Sequence, residues 1–303
     1  MNFYKKLFPK KMRFAILKMF RFIPDKTMLK IQYWIKFKRK LNLKQPNKFS
    51  EKIQWYKLYY RDPIMNICVD KYRVREYLSS KNLEGILVKL YGVYDSADEI
   101  VFDRLPNSFV LKTTNGSGTN IICKNKNDLN EQEVKRKIKN YFKQSNSNAG
   151  REWAYSKSSK KIIVEELLID SDNPNGIDDY KFYCFNGIPR FVVVDKDRYA
   201  DHKRNFYSSD WALIQVTSEY DNYPLPIDKP KNYERMIEIV KTLSNDFPFV
   251  RVDLYNIQGK IYFGELTFYP YSGYMPLNPS KYDVEFGEMF ELPSKTKEKN
   301  GKK

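Results

Sequence analysis

The chain has 303 residues, a net charge of +17 and 42% hydrophobic residues. That length builds one large domain or two closely packed ones, with a core that needs no disulfide or metal staple. Cys68, Cys123 and Cys184 lie far apart without a CxxC pair, which excludes a disulfide framework or a zinc site and fits a reduced, cytoplasmic setting. His202 is the single histidine, which argues against Ser-His-Asp or Cys-His catalysis.

The charge is uneven. Residues 1–50 hold fifteen Lys and Arg against one acid, Asp25, while residues 51–290 are neutral overall. A nucleic-acid reader carries its basic residues through the fold, so no nucleic-acid partner is expected. No apolar run approaches the ~20 residues that span a bilayer, and no signal peptide is expected.

Residues 1–45 read as a basic amphipathic helical segment. In residues 1–23, Phe3, Leu7, Phe8, Ile16, Leu17 and Phe20 alternate with lysines and arginines until Pro24. Such a helix suits the anionic inner face of a membrane, or packs on the domain as a solvated helix. A second helix is expected over 28–41. Residues 46–108 are expected as a helical and strand region, with Ser50 capping a helix over EKIQWYKLYY and another helix over 68–80.

From there short β-rich runs dominate: LVKLYGVY, SFVLKTT, NIICK, KIIVEELL, YKFYCFNG, IPRFVVVD, VRVDLY and KIYFGELTF. Helical periodicity interrupts them over 128–143 and 232–243. Asn186-Gly187 and Gln258-Gly259 read as hairpin turns. Adjacent hairpins with helices on one side predict an α+β fold with antiparallel sheets. Residues 109–290 form the expected main domain, and 291–303 a Lys-rich disordered tail.

Asp253 lies six residues before Gly259 and Glu265 six after it. With Gly259 near the apex the two carboxylates come close to opposite, about 5 Å apart at Cβ. Facing carboxylates repel unless a cation intervenes, and magnesium with nucleotide phosphates resolves that. Alternation puts Arg251 beside Asp253 and Thr267 beside Glu265. On spacing alone a solvated strand face explains these acids at least as well. Lys112 ends a buried strand before Asn115, Gly116, Ser117 and Gly118, a loop that lets backbone N–H groups approach phosphate; an ordinary hairpin loop has the same look. Glu165, Glu166 and Leu168 end another strand, which presents groups to an adenine or simply runs into solvent. Lys71, Lys181, Arg198, Lys203 and Arg204 are scattered cations, and His202 reads as a surface loop residue.

The order of these pieces resembles the ATP-grasp superfamily. PNKFSEKIQWYKLYYRDP, VDKYRVREYL, LYGVYDSADEI, LPNSFVLKT, YKFYCFNG, HKRNFYSSDW and VRVDLY…IYFGELTFYPYSG are similar to the TupA-like ATP-grasp family of polysaccharide gene clusters, over Leu41 to Phe290. The resemblance implies two α+β subdomains gripping ATP, with Mg²⁺, and a carboxylate–amine ligase working through an acyl phosphate. It implies that Lys71 and Lys112 contact phosphates and that Asn115, Gly116, Ser117 and Gly118 close over them. It implies that Glu165, Glu166 and Leu168 bracket adenine, and that Asp179 or Lys181 reaches ribose or phosphate. Lys203 or Arg204 adds a phosphate contact, Arg251 stabilises the transferring phosphoryl group, and Asp253 and Glu265 ligate Mg²⁺. Many relatives carry Asn two residues after that glutamate, and Thr267 stands there instead. The implied partners are a carboxylate-bearing sugar or amino acid and an amine acceptor. A phosphotransferase acting on a sugar or lipid-linked glycan fits the same ATP motifs, and a non-catalytic membrane-surface protein fits the basic N-terminus.

Overall fold

A computed structural model describes residues 20–114, 118–144, 150–156 and 160–296. The segments 1–19, 115–117 and 297–303, and with them most of the basic N-terminal helix, Asn115 to Ser117 and the end of the Lys-rich tail, lie outside the described residues.

Two antiparallel sheets carry the fold. In the smaller, β1 (Leu90–Tyr94), β2 (Phe109–Thr113), β3 (Ile121–Cys123) and β4 (Ile162–Glu165) take the order β1-β4-β2-β3. In the larger, β5 (Asp179–Phe185), β6 (Ile188–Lys196), β7 (Lys203–Ser208), β8 (Leu213–Ile214), β9 (Phe249–Ile257) and β10 (Lys260–Thr267) take the order β10-β9-β5-β6-β7-β8. The expected α+β arrangement is what forms.

Helices α1 (Asp25–Phe37), α2 (Phe49–Tyr59), α3 (Ile64–Cys68) and α4 (Val74–Ser80) precede the sheets. Helix α5 (Glu131–Gln144) covers the small sheet, burying Val134 and Ile138 among Phe102, Phe109 and Leu111. Helix α6 (Tyr233–Ser244) covers one face of the large sheet with Met236, Val240 and Leu243, the apolar stripe its 3.6-residue period provides.

The other face of the large sheet is divided. At one end α2 and α7 (Tyr282–Glu288) lie over Tyr183, Phe185, Phe191 and Phe249. Phe49 meets three of those rings edge-on, and Phe286 stacks on Phe191 at 4.1 Å. Burying each such ring contributes roughly 1.5–3 kcal/mol. At the other end the same face is polar, and there the chemistry-bearing residues gather.

Three expectations are corrected. Ser50 does not cap α2; the helix starts two residues earlier than expected, at Phe49, and Glu51 reaches back to the Asn47 and Lys48 amides at 3.2 and 3.3 Å. Ser50 instead bonds Asp283 through both its amide and its hydroxyl, each at 2.8 Å, joining α2 to α7. The helix expected over 68–80 is broken, because the Asp70 carboxylate accepts from the Tyr72 and Arg73 amides at 2.9 and 3.0 Å. An aspartate bonding the backbone two and three residues on makes a turn, and Lys71 sits in it. Lastly, the expected tail is tied back at its start: the Thr296 amide donates to Tyr59 O at 2.8 Å, and its hydroxyl accepts from the Arg61 amide at 2.9 Å.

Candidate active site

Alternation sorts β9 cleanly. Val250, Val252 and Leu254 are fully buried on the α6 side, so Arg251 and Asp253 face the other way. The hairpin turn is Gln258-Gly259, with both residues at positive φ, as a two-residue connection requires. An even ladder from Ile257 opposite Lys260 would set Asp253 against Gly264 and send Glu265 to the α6 side. A bulge between Phe263 and Glu265 restores the pairing: Glu265 stands opposite Asp253, and Thr267 opposite Arg251. Bulges re-aim side chains in this way beside functional sites.

Gly264 is the residue that permits it. A Cβ there would lie 3.0 Å from Asp253 O and 3.3 Å from its Cβ. Gly264→Ala is therefore expected to cost about 1–3 kcal/mol through overpacking against Asp253. Urea denaturation of the variant checks it.

The four side chains converge. Arg251 Nε donates to Asp253 Oδ1 at 2.6 Å. Its Nη2 donates to Asp253 Oδ2 at 2.6 Å, to Glu265 Oε1 at 2.7 Å and to Thr267 Oγ1 at 3.2 Å. Thr267 Oγ1 in turn donates to Glu265 Oε1 at 2.9 Å. One nitrogen thus sits among three oxygens, in a donor set of oxygen alone. That set suits a hard divalent cation, and magnesium takes one or two carboxylates with phosphates and water completing the shell. Among the described residues no group of three or more His, Cys, Asp and Glu side chains gathers to cage a metal.

Titration follows the same geometry. Burial raises the Asp253 carboxyl to about 6, with Arg251 and Lys181 pulling against it. Burial also works against the Glu265 carboxylate, but Arg251 and Lys71 hold it below its usual value. Lys181, on β5, is buried, yet Asp179, Asp253 and Asp195 keep its ammonium well above the ordinary value. Its Nζ lies 3.2 Å from Asp195 and 3.7 Å from Asp253 and pairs more closely with Asp179.

Next along the face, Arg204 clasps Asp195 through Nε at 2.5 Å and Nη2 at 2.9 Å, and bonds the Tyr271 hydroxyl. Asp195 also lies 3.2 Å from His202 Nε2. His202 is thus drawn to the cluster, its ring stacked on Tyr220 at 3.7 Å, where a plain surface loop was expected. Arg198 donates to Asp179 at 2.7 Å.

Lys203 is not brought in. It pairs with Lys196 across the ladder, one position from the Arg204–Asp195 pair, so alternation turns it to the opposite face. Its ammonium lies 3.1 Å from Asp201 and 3.7 Å from Asp221, both exposed.

The small sheet carries a second group of charged residues. Lys112 Nζ donates to Glu165 Oε2 at 2.8 Å, and Arg75 to Glu165 Oε1 at 3.4 Å. The Glu165 carboxylate is thus engaged by cations. Its successor, Glu166, is anchored by its amide to Lys89 O at 2.9 Å. Glu166 and Leu168 lie in the half-buried connection from β4 toward the large sheet. The Lys71 amide bonds Thr114 O at 3.0 Å, which ties its turn to the end of β2. Burial lowers the Lys71 ammonium, while Glu265 opposes that shift and Lys112 reinforces it. Lys71 therefore senses both sheets. Gly118 closes the described part of its loop at φ 69°, in open space.

The segment after β10 is held in an unusual conformation. Tyr271, Ser272 and Gly273 all have positive φ, and non-glycine residues there signal stored strain. Gln54 and Lys57 of α2 hold it: Gln54 Nε2 donates to Ser272 O and Gly273 O at 3.0 and 3.1 Å, and Lys57 Nζ to Ser272 O at 2.7 Å. Burial lowers the Lys57 ammonium to about 8. The folded state thus gives up this proton before the unfolded chain does, so stability is expected to rise from about pH 8 to 10.5, by about 3 kcal/mol. Urea denaturation across that range checks it, and Lys57→Met should remove the rise.

The model for the family described as TupA-like ATPgrasp matches residues 51–291. The chain belongs to the TupA-like ATP-grasp family. No curated protein matches the sequence. Among solved structures, the chain is similar to a D-alanine–D-alanine ligase from Bacillus anthracis at 14% identity and TM-score 0.38, covering 72% of this chain and 58% of that one. It is also similar to the ligase of that name from Helicobacter pylori, at 14% identity and TM-score 0.44, covering 82% and 70%. A biotin carboxylase from Campylobacter jejuni matches at 12% identity and TM-score 0.40, covering 76% and 48%. This ATP-grasp chain thus spans little more than half the length of the first of these structures.

Proposed function

We propose that this chain is an ATP- and Mg²⁺-dependent carboxylate–amine ligase that forms an amide through an acyl phosphate. Its acyl donor would be a uronic acid or amino acid, and its product a modified capsular, teichuronic-type or O-antigen polysaccharide or a precursor of one. Membership of the TupA-like ATP-grasp family supports the use of ATP. The observation that carries the reading is the convergence of Asp253, Glu265 and Thr267 on the Arg251 guanidinium, with the Lys181 ammonium 3.7 Å from Asp253.

In this reading Asp253 and Glu265 hold Mg²⁺, with the weaker hydroxyl ligand of Thr267 beside them. The ion, when bound, neutralises phosphate oxygens and polarises the transferring phosphoryl group. Lys71 and Lys112 bring positive charge from the small-sheet side, and Lys181 from the large sheet. Arg251, which bonds both carboxylates here, would supply positive charge toward the phosphoryl group. Arg204, clasped by Asp195, holds Tyr271 and so orients the strained substrate-side segment. A substrate carboxylate attacks the γ-phosphorus and ADP leaves; the amine then displaces phosphate from the acyl phosphate. Water must be kept out for that intermediate to survive, and the loop with Asn115, Gly116, Ser117 and Gly118 is assigned that task.

Attachment to the inner membrane face through residues 1–23 is part of the same reading, supported by their charge. Hydroxylamine tests the chemistry, because it captures an acyl phosphate as a hydroxamate. ATP-dependent hydroxamate from some member of a panel of uronates and amino acids is expected. ADP release with a phosphorylated sugar and no hydroxamate would instead make the chain a phosphotransferase.

A further inference from the structure

Helix α1 buries Met28, Leu29 and Tyr33 and leaves a second apolar face uncovered. Ile31, Trp34 and Ile35, at i, i+3 and i+4, are 42%, 55% and 37% exposed. Phe22, in the turn just before the helix, is 81% exposed. A solvated helix does not ordinarily present such a stripe, and large exposed apolar groups gathered on one side mark a contact surface. The stripe is edged with cations. Lys26, Lys30 and Lys38 are exposed, and the Lys38 ammonium lies 4.8 Å from the Trp34 ring centroid. The nearby acid, Asp25, is already paired with Arg151 at 2.8 Å, and Arg151 also bonds Phe20 O at 2.9 Å. The turn carrying Phe22 is thus held against the body of the protein.

We propose that this outward face of α1 docks on an anionic lipid bilayer, with Phe22, Ile31, Trp34 and Ile35 entering the headgroup boundary and Lys26, Lys30 and Lys38 meeting lipid phosphates. The pattern is that of an interfacial helix, which places tryptophan at the polar boundary and basic side chains beside the apolar stripe. A second copy of the chain is a poor occupant, because the region 1–50 carries fifteen cations against one acid and would repel itself.

The position of the helix gives the docking a consequence. On its inner side Gln32 accepts from the Tyr274 hydroxyl at 2.8 Å, and Phe37 packs against the Tyr274 ring. Tyr274 follows directly on the strained Tyr271–Gly273 segment that leads out of Thr267. A bilayer on the outer side of α1 would therefore be separated by that one helix from Tyr274 and the strained segment after β10. The inference deepens the membrane part of the proposed function and does not depend on the ligase reading.

The test is co-sedimentation of the full chain with vesicles of phosphatidylcholine alone or mixed with phosphatidylglycerol. Binding to the anionic vesicles is expected, weakened by salt. Ile31→Glu with Trp34→Glu, both exposed and checked for folding by circular dichroism, should lower partitioning about tenfold or more. Deletion of residues 2–19 should leave residual binding that the double variant removes. Two results would overturn the assignment to α1: undiminished binding by the double variant, and complete loss of binding on deletion alone. No binding of the full chain to anionic vesicles would overturn both this inference and the role of residues 1–23. A wild-type dimer in solution that the double variant dissociates, with no lipid binding, would assign the face to a second copy.

Discussion

Asp253→Asn combined with Glu265→Gln should lower ATP turnover by about 10³-fold or more, beyond the stability lost by leaving the buried Arg251 guanidinium without a carboxylate partner. Both amides keep the size of the side chains and can still accept hydrogen bonds from Arg251, so the hairpin should hold its register. In the proposed reading, what disappears is the charge that would hold a divalent ion. The loss should appear in Mg²⁺-dependent nucleotide binding by calorimetry as well as in turnover. It should also exceed the loss from Thr267→Val, because a hydroxyl is a weak magnesium ligand beside two carboxylates. Nucleotide binding in the double variant that retains its full dependence on Mg²⁺ would remove these residues from the metal site.

Arg251→Met is the second large effect, and it acts on stability first. The guanidinium bonds Asp253 through two atoms and Glu265 through one. Removing it leaves two carboxylates face to face, with Asp253 buried. Breaking such a pair on one side costs about 3–5 kcal/mol. Millimolar Mg²⁺ should restore much of that loss in the variant, because the ion supplies the missing charge between the same oxygens. In the parent chain without nucleotide, Mg²⁺ should change little, since Arg251 already occupies the position. Thermal denaturation of both proteins with and without Mg²⁺ measures this directly. ATP turnover should stay low in the variant even with saturating metal, which separates the structural loss from the loss of the phosphoryl contact.

The two predictions rest on a register that the sequence presents only in part. Asp253 and Glu265 are equidistant from Gly259, and that symmetry correctly suggested that they face each other. The turn is Gln258-Gly259, however, so an even ladder would have separated them. The bulge at Gly264 makes the symmetric spacing work. A glycine within an otherwise apolar and aromatic strand was the available sign of it.

Strands with alternating apolar residues were legible, and so was the order of the hairpins. Strand β7 was not, because KRNFYS has no clean period of two, and its burial comes from both faces being covered. With β7 unread, Arg204 and Lys203 looked equivalent, and only strand pairing separates the one that clasps Asp195 from the one that does not. Asp195 carries the same signal as Asp253, since IPRFVVVD ends an apolar run in an aspartate much as FVRVD does. The turn at Lys71 was hidden for a different reason. Nothing in VDKYRV forbids a helix, and the break comes from Asp70 bonding its own backbone.

The most direct test of the account is the fate of a carboxylate oxygen. A substrate acid labelled with heavy oxygen in its carboxyl group, incubated with the enzyme, Mg·ATP and an amine acceptor, should pass one labelled oxygen to the inorganic phosphate as the amide forms. Phosphate released without label, or label retained wholly in the acid while ATP is consumed, would contradict activation of a carboxylate at this site.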